Sequence, residues 1–231
     1  MPATDFSHFS PNLLAFLVEL EANNERAWFA DNKTRYETEV RGPCLDFITA
    51  MAEPLAGFAP HFFAWPRNSG GSLMRIYRDV RFARDKRPYK TNVGIQFRHE
   101  AGKDVHAPGY YLHIDPHQAF VGAGAWRPAS DALAAIRQRI ADFPEQWLVA
   151  RDASEFSSRF SLGGDTLVRP PRGFDADHPC IDDIKRKDFI AIAALDPASL
   201  FQPGLVDRIA DQFRRADGFM RFLCAAAGVR F

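Results

Sequence analysis

Cysteine is scarce. The three residues, Cys44, Cys180 and Cys224, stand far apart, form no CxxC pair, and by number and spacing fit reduced thiols rather than a disulfide framework. No apolar run reaches the roughly 18 residues of a membrane span. Met1–His8 lacks a basic segment followed by an apolar one, so no secretion signal is expected and a cytoplasmic location is. Net charge is missing too: 29 lysines and arginines balance 29 aspartates and glutamates, which disfavours a uniformly basic nucleic-acid binder. The chain has no Walker A lysine loop, no G-x-S-x-G, no H-E-x-x-H and no deaminase zinc signature. No internal repeat and no linker divides it.

What is present is an ordinary globular composition, 46% hydrophobic and 25% charged, with 21 phenylalanines among 231 residues. Aromatic rings bury large areas, so a chain of this size can be stable without staples. One domain is expected over residues 1–231: helical over 10–64, sheet-forming over 72–126, helical with loops over 128–231. In the first stretch Leu13, Phe16, Leu17 and Leu20 recur at helical spacing after Ser10-Pro11. Asn23-Asn24 breaks that helix and can cap a second carrying Trp28, Phe29, Tyr36 and Val40, which Gly42-Pro43 is expected to end. A third carries Cys44, Phe47, Ile48, Met51 and Leu55, shortened or kinked by Pro54. The middle stretch changes to a period of two, and Asp115-Pro116-His117-Gln118 reads as the turn of a hairpin joining 110–114 to 119–123. Phe189–Leu195 fits a strand or a helix, and Pro203–Ala227 reads as one long helix. Strands in the middle with helices at both ends predict an α+β fold with a mainly antiparallel central sheet.

The segment from Arg75 to Lys90, RIYRDVRFARDKRPYK, concentrates charge. It holds seven basic residues and two acids, while the remainder holds 22 basic and 27 acidic residues, so a neutral chain carries a +5 segment on a −5 body. Read as a strand over 74–82, it places Met74, Ile76, Val80 and Phe82 on one face, with Arg78 among them, and Arg75, Tyr77, Asp79 and Arg81 on the other. A charge on an apolar face needs a partner or a polar cavity. Arginine forks suit phosphate or carboxylate, and Asp79 and Asp85 can orient them. Lys86 and Lys90 could close over whatever the strand presents, with Tyr89 adding a hydroxyl and a flat face.

This segment resembles the signature of the domain of unknown function 2461 family, R-x-x-R-D-x-R-F-x-x-[D/N]-K-x-x-Y, found in bacterial proteins of about this length and in fungi. Arg75, Arg78, Asp79, Arg81, Phe82, Asp85, Lys86 and Tyr89 match it at every fixed place. The resemblance extends to Asn23-Asn24, Trp28-Phe29 and Gly122–Pro128. It implies a shared site and brings no activity.

Other groups carry less specific signals. His113, Asp115 and His117 would share one face of a straight strand, as metal ligands do, but the turn scatters them and no metal is expected. Tyr111 and His113 lie opposite Leu112 and Ile114, where His113 could act as an acid or base. Gly122-Ala123-Gly124 could feed a helix N-terminus, although Arg127 stands where a dinucleotide fingerprint needs glycine. Trp126 could stack on a ligand, and the mixed charges of Ile181–Asp188 read as a solvated helix face. Cys44 and Cys224 fall on apolar helix faces.

These readings converge on an anionic small-molecule ligand, phosphorylated or polyanionic, bound by Arg75, Arg78, Asp79, Arg81, Asp85, Lys86, Tyr89 and Trp126. His113 and Tyr89 are the candidates for moving a proton, and no cofactor is called for. The alternatives are a single-stranded nucleic-acid module stacking on Tyr77, Phe82, Tyr89 and Trp126, and a protein-interaction domain in which the ion pairs are structural.

Overall fold

Alternation in the middle of the chain becomes strand pairing in the computed structural model, which describes residues 5–67, 69–102 and 107–231. Residues 1–4, within the Met1–His8 stretch, and 103–106, within the sheet-forming stretch, lie outside the described residues. Strands β1 (Phe62–Phe63), β2 (Val93–His99), β3 (Gly109–Ile114), β4 (Ala119–Ala125), β5 (Ser161–Gly163) and β6 (Phe189–Leu195) form one antiparallel sheet in the order β1-β2-β3-β4-β6-β5. Helices precede and follow it, so the chain is α+β. Phe189–Leu195 is a strand, paired with β4 along its whole length.

One face of the sheet is the core. Ile95, Phe97, Tyr110, Leu112, Val121 and Phe189 are fully buried there. Phe47 of helix Gly42–Ala50 reaches Phe97 with ring centroids 6.4 Å apart, and Phe213 of helix Leu205–Arg214 lies 4.8 Å from Tyr110. Trp147 of helix Pro144–Asp152 meets Phe189 at 5.9 Å. Burial of each such ring is worth about 2 kcal/mol, so this face carries the stability and the opposite face can hold polar groups.

Several local expectations change. The second helix is not ended by Gly42-Pro43: a π-helical turn over Tyr36–Arg41 runs straight into helix Gly42–Ala50. The wider turn tolerates a proline that has no N–H to give, and a Cβ at Gly42 would sit 2.9 Å from the Glu37 carbonyl oxygen. The expected long C-terminal helix is two, Leu205–Arg214 and Asp217–Ala226, broken at buried Ala216 with Asp217 in the first turn of the second. Gly122 and Gly124 lie inside β4 rather than in a loop. Ile181–Asp188 is not a solvated face either, because Asp183 and Asp188 are each 4% exposed. Asp183 accepts bonds from Trp147, Arg151 and Arg186, and Asp188 from the amides of Arg127 and Asp165, which makes their burial tolerable.

The basic segment leaves the sheet. Ser72–Met74 continues the edge of β2, with Met74 N–H donating to Gly94 and Gln96 N–H donating to Ser72. The chain then turns into a separate hairpin, in which Tyr77 bridges Tyr89 and Lys90 N–H donates to Ile76. The expected strand over 74–82 therefore stops early. The cause is local: Asp79 takes the amide and guanidinium of Arg81, and Asp85 takes those of Arg87, so each aspartate offers the backbone a turn in place of a ladder. Of the four apolar residues assigned to one face, Ile76 is buried and Phe82 is 95% exposed.

Candidate functional site on the open face of the sheet

The second face of β2, β3, β4 and β6 carries a cavity of about 480 Å³. Its floor is kept low by glycine. Gly94 and Gly122, on β2 and β4, stand in register with His113 and Tyr111 of β3, and Gly109 faces Gly124 in the next row. A Cβ at Gly94 would come within 2.7 Å of the Tyr111 hydroxyl, so the phenol occupies the space a side chain would take. Gly124, at φ 125°, could not carry one at all, since its Cβ would lie 2.0 Å from the Phe189 carbonyl oxygen.

On that floor three polar residues form a chain. The Tyr111 hydroxyl lies 3.1 Å from His113 Nδ1, and His113 Nε2 lies 2.8 Å from Asp115 Oδ2. Phe120, across the strand, stacks on the imidazole at 4.6 Å and fixes its plane. Asp115 is itself oriented by the turn, where its Oδ1 accepts the amides of His117 and Gln118. Burial alone would raise the Asp115 carboxyl, but the bonds from His113, these amides and the Gln118 side chain outweigh it and hold the group below the usual carboxylate range. Burial, reinforced by the Asp115 charge, pushes the Tyr111 phenol up to about 12, so it is protonated at neutral pH. The chain can run from phenol to imidazole to carboxylate or in reverse, and a proton passing along it reverses both bonds.

Lys90 lines the same cavity from the returning arm of the hairpin. Among the described residues no hydrogen bond or ion pair reaches its ammonium. Burial first, and Arg75 second, lower its pKa from the ordinary lysine value. Trp126, 47% exposed, stands at the end of β4, where Arg127 adopts φ 47° and donates its amide to Asp188 at 2.7 Å. That turn sets the indole on the rim, with Asn92 and Gln96 elsewhere in the lining.

The residues picked out in the sequence separate into four places. His113 and Trp126 line this cavity, and Arg75 lines a neighbouring one. Arg78, Asp79, Arg81, Asp85 and Lys86 stay in the hairpin loop. There Arg78 bonds Asp85 at 2.7 Å, Arg81 bonds Asp79 at 2.7 Å, and Lys86 donates to the Val80 carbonyl at 3.0 Å. Tyr89 packs inward, stacked on Phe29 at 4.2 Å, while the Asn24 side chain bonds both its N–H and its C=O. His117 turns away to Glu21, leaving His113 and Asp115 to each other, and the described residues contain no group of three or more potential metal ligands. All three cysteines are buried. Lys90, Tyr111 and Asp115 were named in the sequence but not joined into a site. The tyrosine-histidine alternation on the polar parity of β3 was the available signal, whereas the glycine floor is a product of pairing.

A model of the family described as conserved hypothetical protein (DUF2461) matches residues 12–222, and the chain belongs to that family. No curated protein and no solved structure matches it. Among the described residues no helix is long and apolar enough to cross a membrane.

Proposed function

We propose that this member of the conserved hypothetical protein (DUF2461) family binds a small organic anion on the open face of its sheet and moves a proton on it. The observation that carries this reading is the Lys90 ammonium, half-buried and without a protein partner among the described residues, in the same cavity as the Tyr111–His113–Asp115 chain. A desolvated, unpaired cation is costly unless an anion completes it. Tyr111 would present the proton, His113 and Asp115 would supply or withdraw it, Lys90 would hold negative charge, and Trp126 would cover a flat portion of the ligand.

The test uses benzoate and short aliphatic carboxylates as probes, by thermal shift and calorimetry. A ligand that binds only the folded state raises the melting temperature by mass action. The rise is expected in wild type and in Arg81→Ala and is lost in Lys90→Ala. Calorimetry in two buffers of different ionisation enthalpy is expected to show proton uptake on binding that disappears in His113→Gln. Binding that ignores Lys90, or that proceeds without proton exchange, overturns the reading. Single-stranded nucleic acid is the competing occupant, favoured by Phe82 and Tyr77 at 95% and 54% exposure, although Tyr89 is enclosed. Binding of short oligonucleotides that falls steeply with salt and depends on Phe82 would establish it instead.

A further inference from the structure

Across Met74 from this cavity lies a second, of about 330 Å³, and Met74 and Gln96 line both. Among the described residues its walls carry Lys33, Arg41, Arg67, Arg75 and Arg98 against one acid, Glu37. Glu37 is already engaged by Arg41 at 2.8 Å. Among the described residues the Arg75 guanidinium has neither a hydrogen bond nor an ion pair, and the same holds for the Lys33 ammonium. The remaining wall is the loop 69–72. Gly70 sits there at φ 68° and its carbonyl accepts from Arg98 at 3.1 Å, while Gly71 packs against the preceding backbone, since a Cβ there would lie 2.5 Å from the Trp65 carbonyl oxygen. The N–H groups of Ser69, Gly70 and Gly71 meet no backbone acceptor among the described residues.

We infer that this basic cavity takes the phosphoryl group of the ligand, and that the substrate class is small phosphorylated organic compounds. The phosphate lies among Arg75, Arg67 and Lys33, and the organic part crosses Met74 onto the open face beside Tyr111. The second half of this statement rests on the function proposed above; the first stands by itself. Charge selects phosphate over carboxylate. A carboxylate carries one negative charge, whereas a phosphate monoester carries nearly two and three acceptor oxygens, matching several donors converging from different sides. Arginine prevails in the wall, and its planar fork fits that geometry.

The probes are inorganic pyrophosphate and phenyl phosphate, titrated calorimetrically at fixed ionic strength. Both are expected to bind wild type and Arg81→Ala alike, and to bind Arg75→Ala about tenfold more weakly, as expected for loss of a charge-assisted fork. Arg75→Lys keeps the charge without the fork and is expected to fall between them. Phenyl phosphate is expected to displace benzoate, because its ring enters the neighbouring cavity. Equal affinity in Arg75→Ala, or simultaneous binding of benzoate and phenyl phosphate, overturns the inference. Benzoate binding without pyrophosphate binding overturns it and leaves the open-face reading intact. Pyrophosphate binding without benzoate binding overturns the open-face reading and keeps the phosphate cavity.

Discussion

Tyr111 and His113 are bonded along one strand, with the phenol oxygen 3.1 Å from Nδ1. Alternate residues of a strand point the same way about 7 Å apart, too far for most pairs to touch. A phenol and an imidazole can bridge that gap if they lean toward each other over unoccupied neighbours. Gly94, in register with His113, and Gly122, in register with Tyr111, leave that room. The relay is thus a consequence of glycine on the flanking strands as much as of the polar residues themselves.

Gly94→Ala therefore tests the relay without touching it. The added methyl would fall 2.7 Å from the phenol oxygen, which is the far end of a movable side chain, so the phenol shifts and the fold persists. The expected outcome is a melting temperature near that of wild type, with proton uptake on benzoate binding lost. Gly122→Ala, whose methyl meets its nearest neighbours at 3.6 Å, is expected to keep the uptake. Calorimetry in paired buffers distinguishes the two.

How much of this could be read from the chain follows from where each cause resides. The hairpin of β3 and β4 was legible because a period of two and an aspartate-proline turn are both local signals. So was the shared face of Tyr111 and His113. The path of Arg75–Lys90 was not, because its apolar alternation imitates a strand while Asp79 and Asp85 draw the following amides into turns. The two cavities were not legible either. The open-face cavity exists because Gly94, Gly109, Gly122 and Gly124 come together across three strands, and Met74 stands between it and the second. The burial of Asp183 likewise depends on Trp147 and Arg151, 36 and 32 residues before it, meeting it in the core.

Asn24 fastens the hairpin to the helical layer. It is 8% exposed, and its amide closes a two-way bond with the Tyr89 peptide at 3.1 Å on each side. Asn24→Ala leaves a buried N–H and a buried C=O without partners, a loss of about 2–3 kcal/mol. The variant is expected to melt lower and to exchange the Tyr89 amide much faster in hydrogen-exchange measurements. Unchanged protection at Tyr89 would contradict this role.

Asp217 gives a pH dependence of known sign. Burial pushes its carboxyl up from 3.8 to about 6, against the pull of Arg221, Tyr110 and Arg214 and with a push from Glu155. The folded state then binds more protons than the unfolded one between pH 4 and 6, so stability from this group falls as pH rises through that window. Asp217→Asn removes the penalty. It is expected to stabilise the protein at pH 7 by about 1 kcal/mol after allowance for solvent screening, and to make no difference at pH 4. Thermal melts at the two pH values check it.

The ion pairs of the loop 79–87 decide between a structural network and a local clasp. Side-chain exposure is 77% for Arg81 and 50% for Asp79, and 28% and 38% for Arg78 and Asp85. Exposed pairs contribute little to global stability, so Arg78→Ala and Asp85→Ala are expected to shift the melting temperature by about 2 °C or less. Their effect is local. With Asp85 gone, Arg78 and Arg87 both lose their carboxylate, and trypsin is expected to cut the loop several-fold faster than in wild type. Acid opens the Asp79 side of the loop: Arg81 holds Asp79 down to about 2, so that pair is complete above pH 4 and is lost as pH falls through about 2. Amide shifts of the loop, followed by NMR from pH 5 to 2, report that step. A large drop in melting temperature for Arg78→Ala with no change in trypsin cutting would instead make the network a prop of the whole fold, and would favour the reading of this protein as an interaction module over a ligand-binding one.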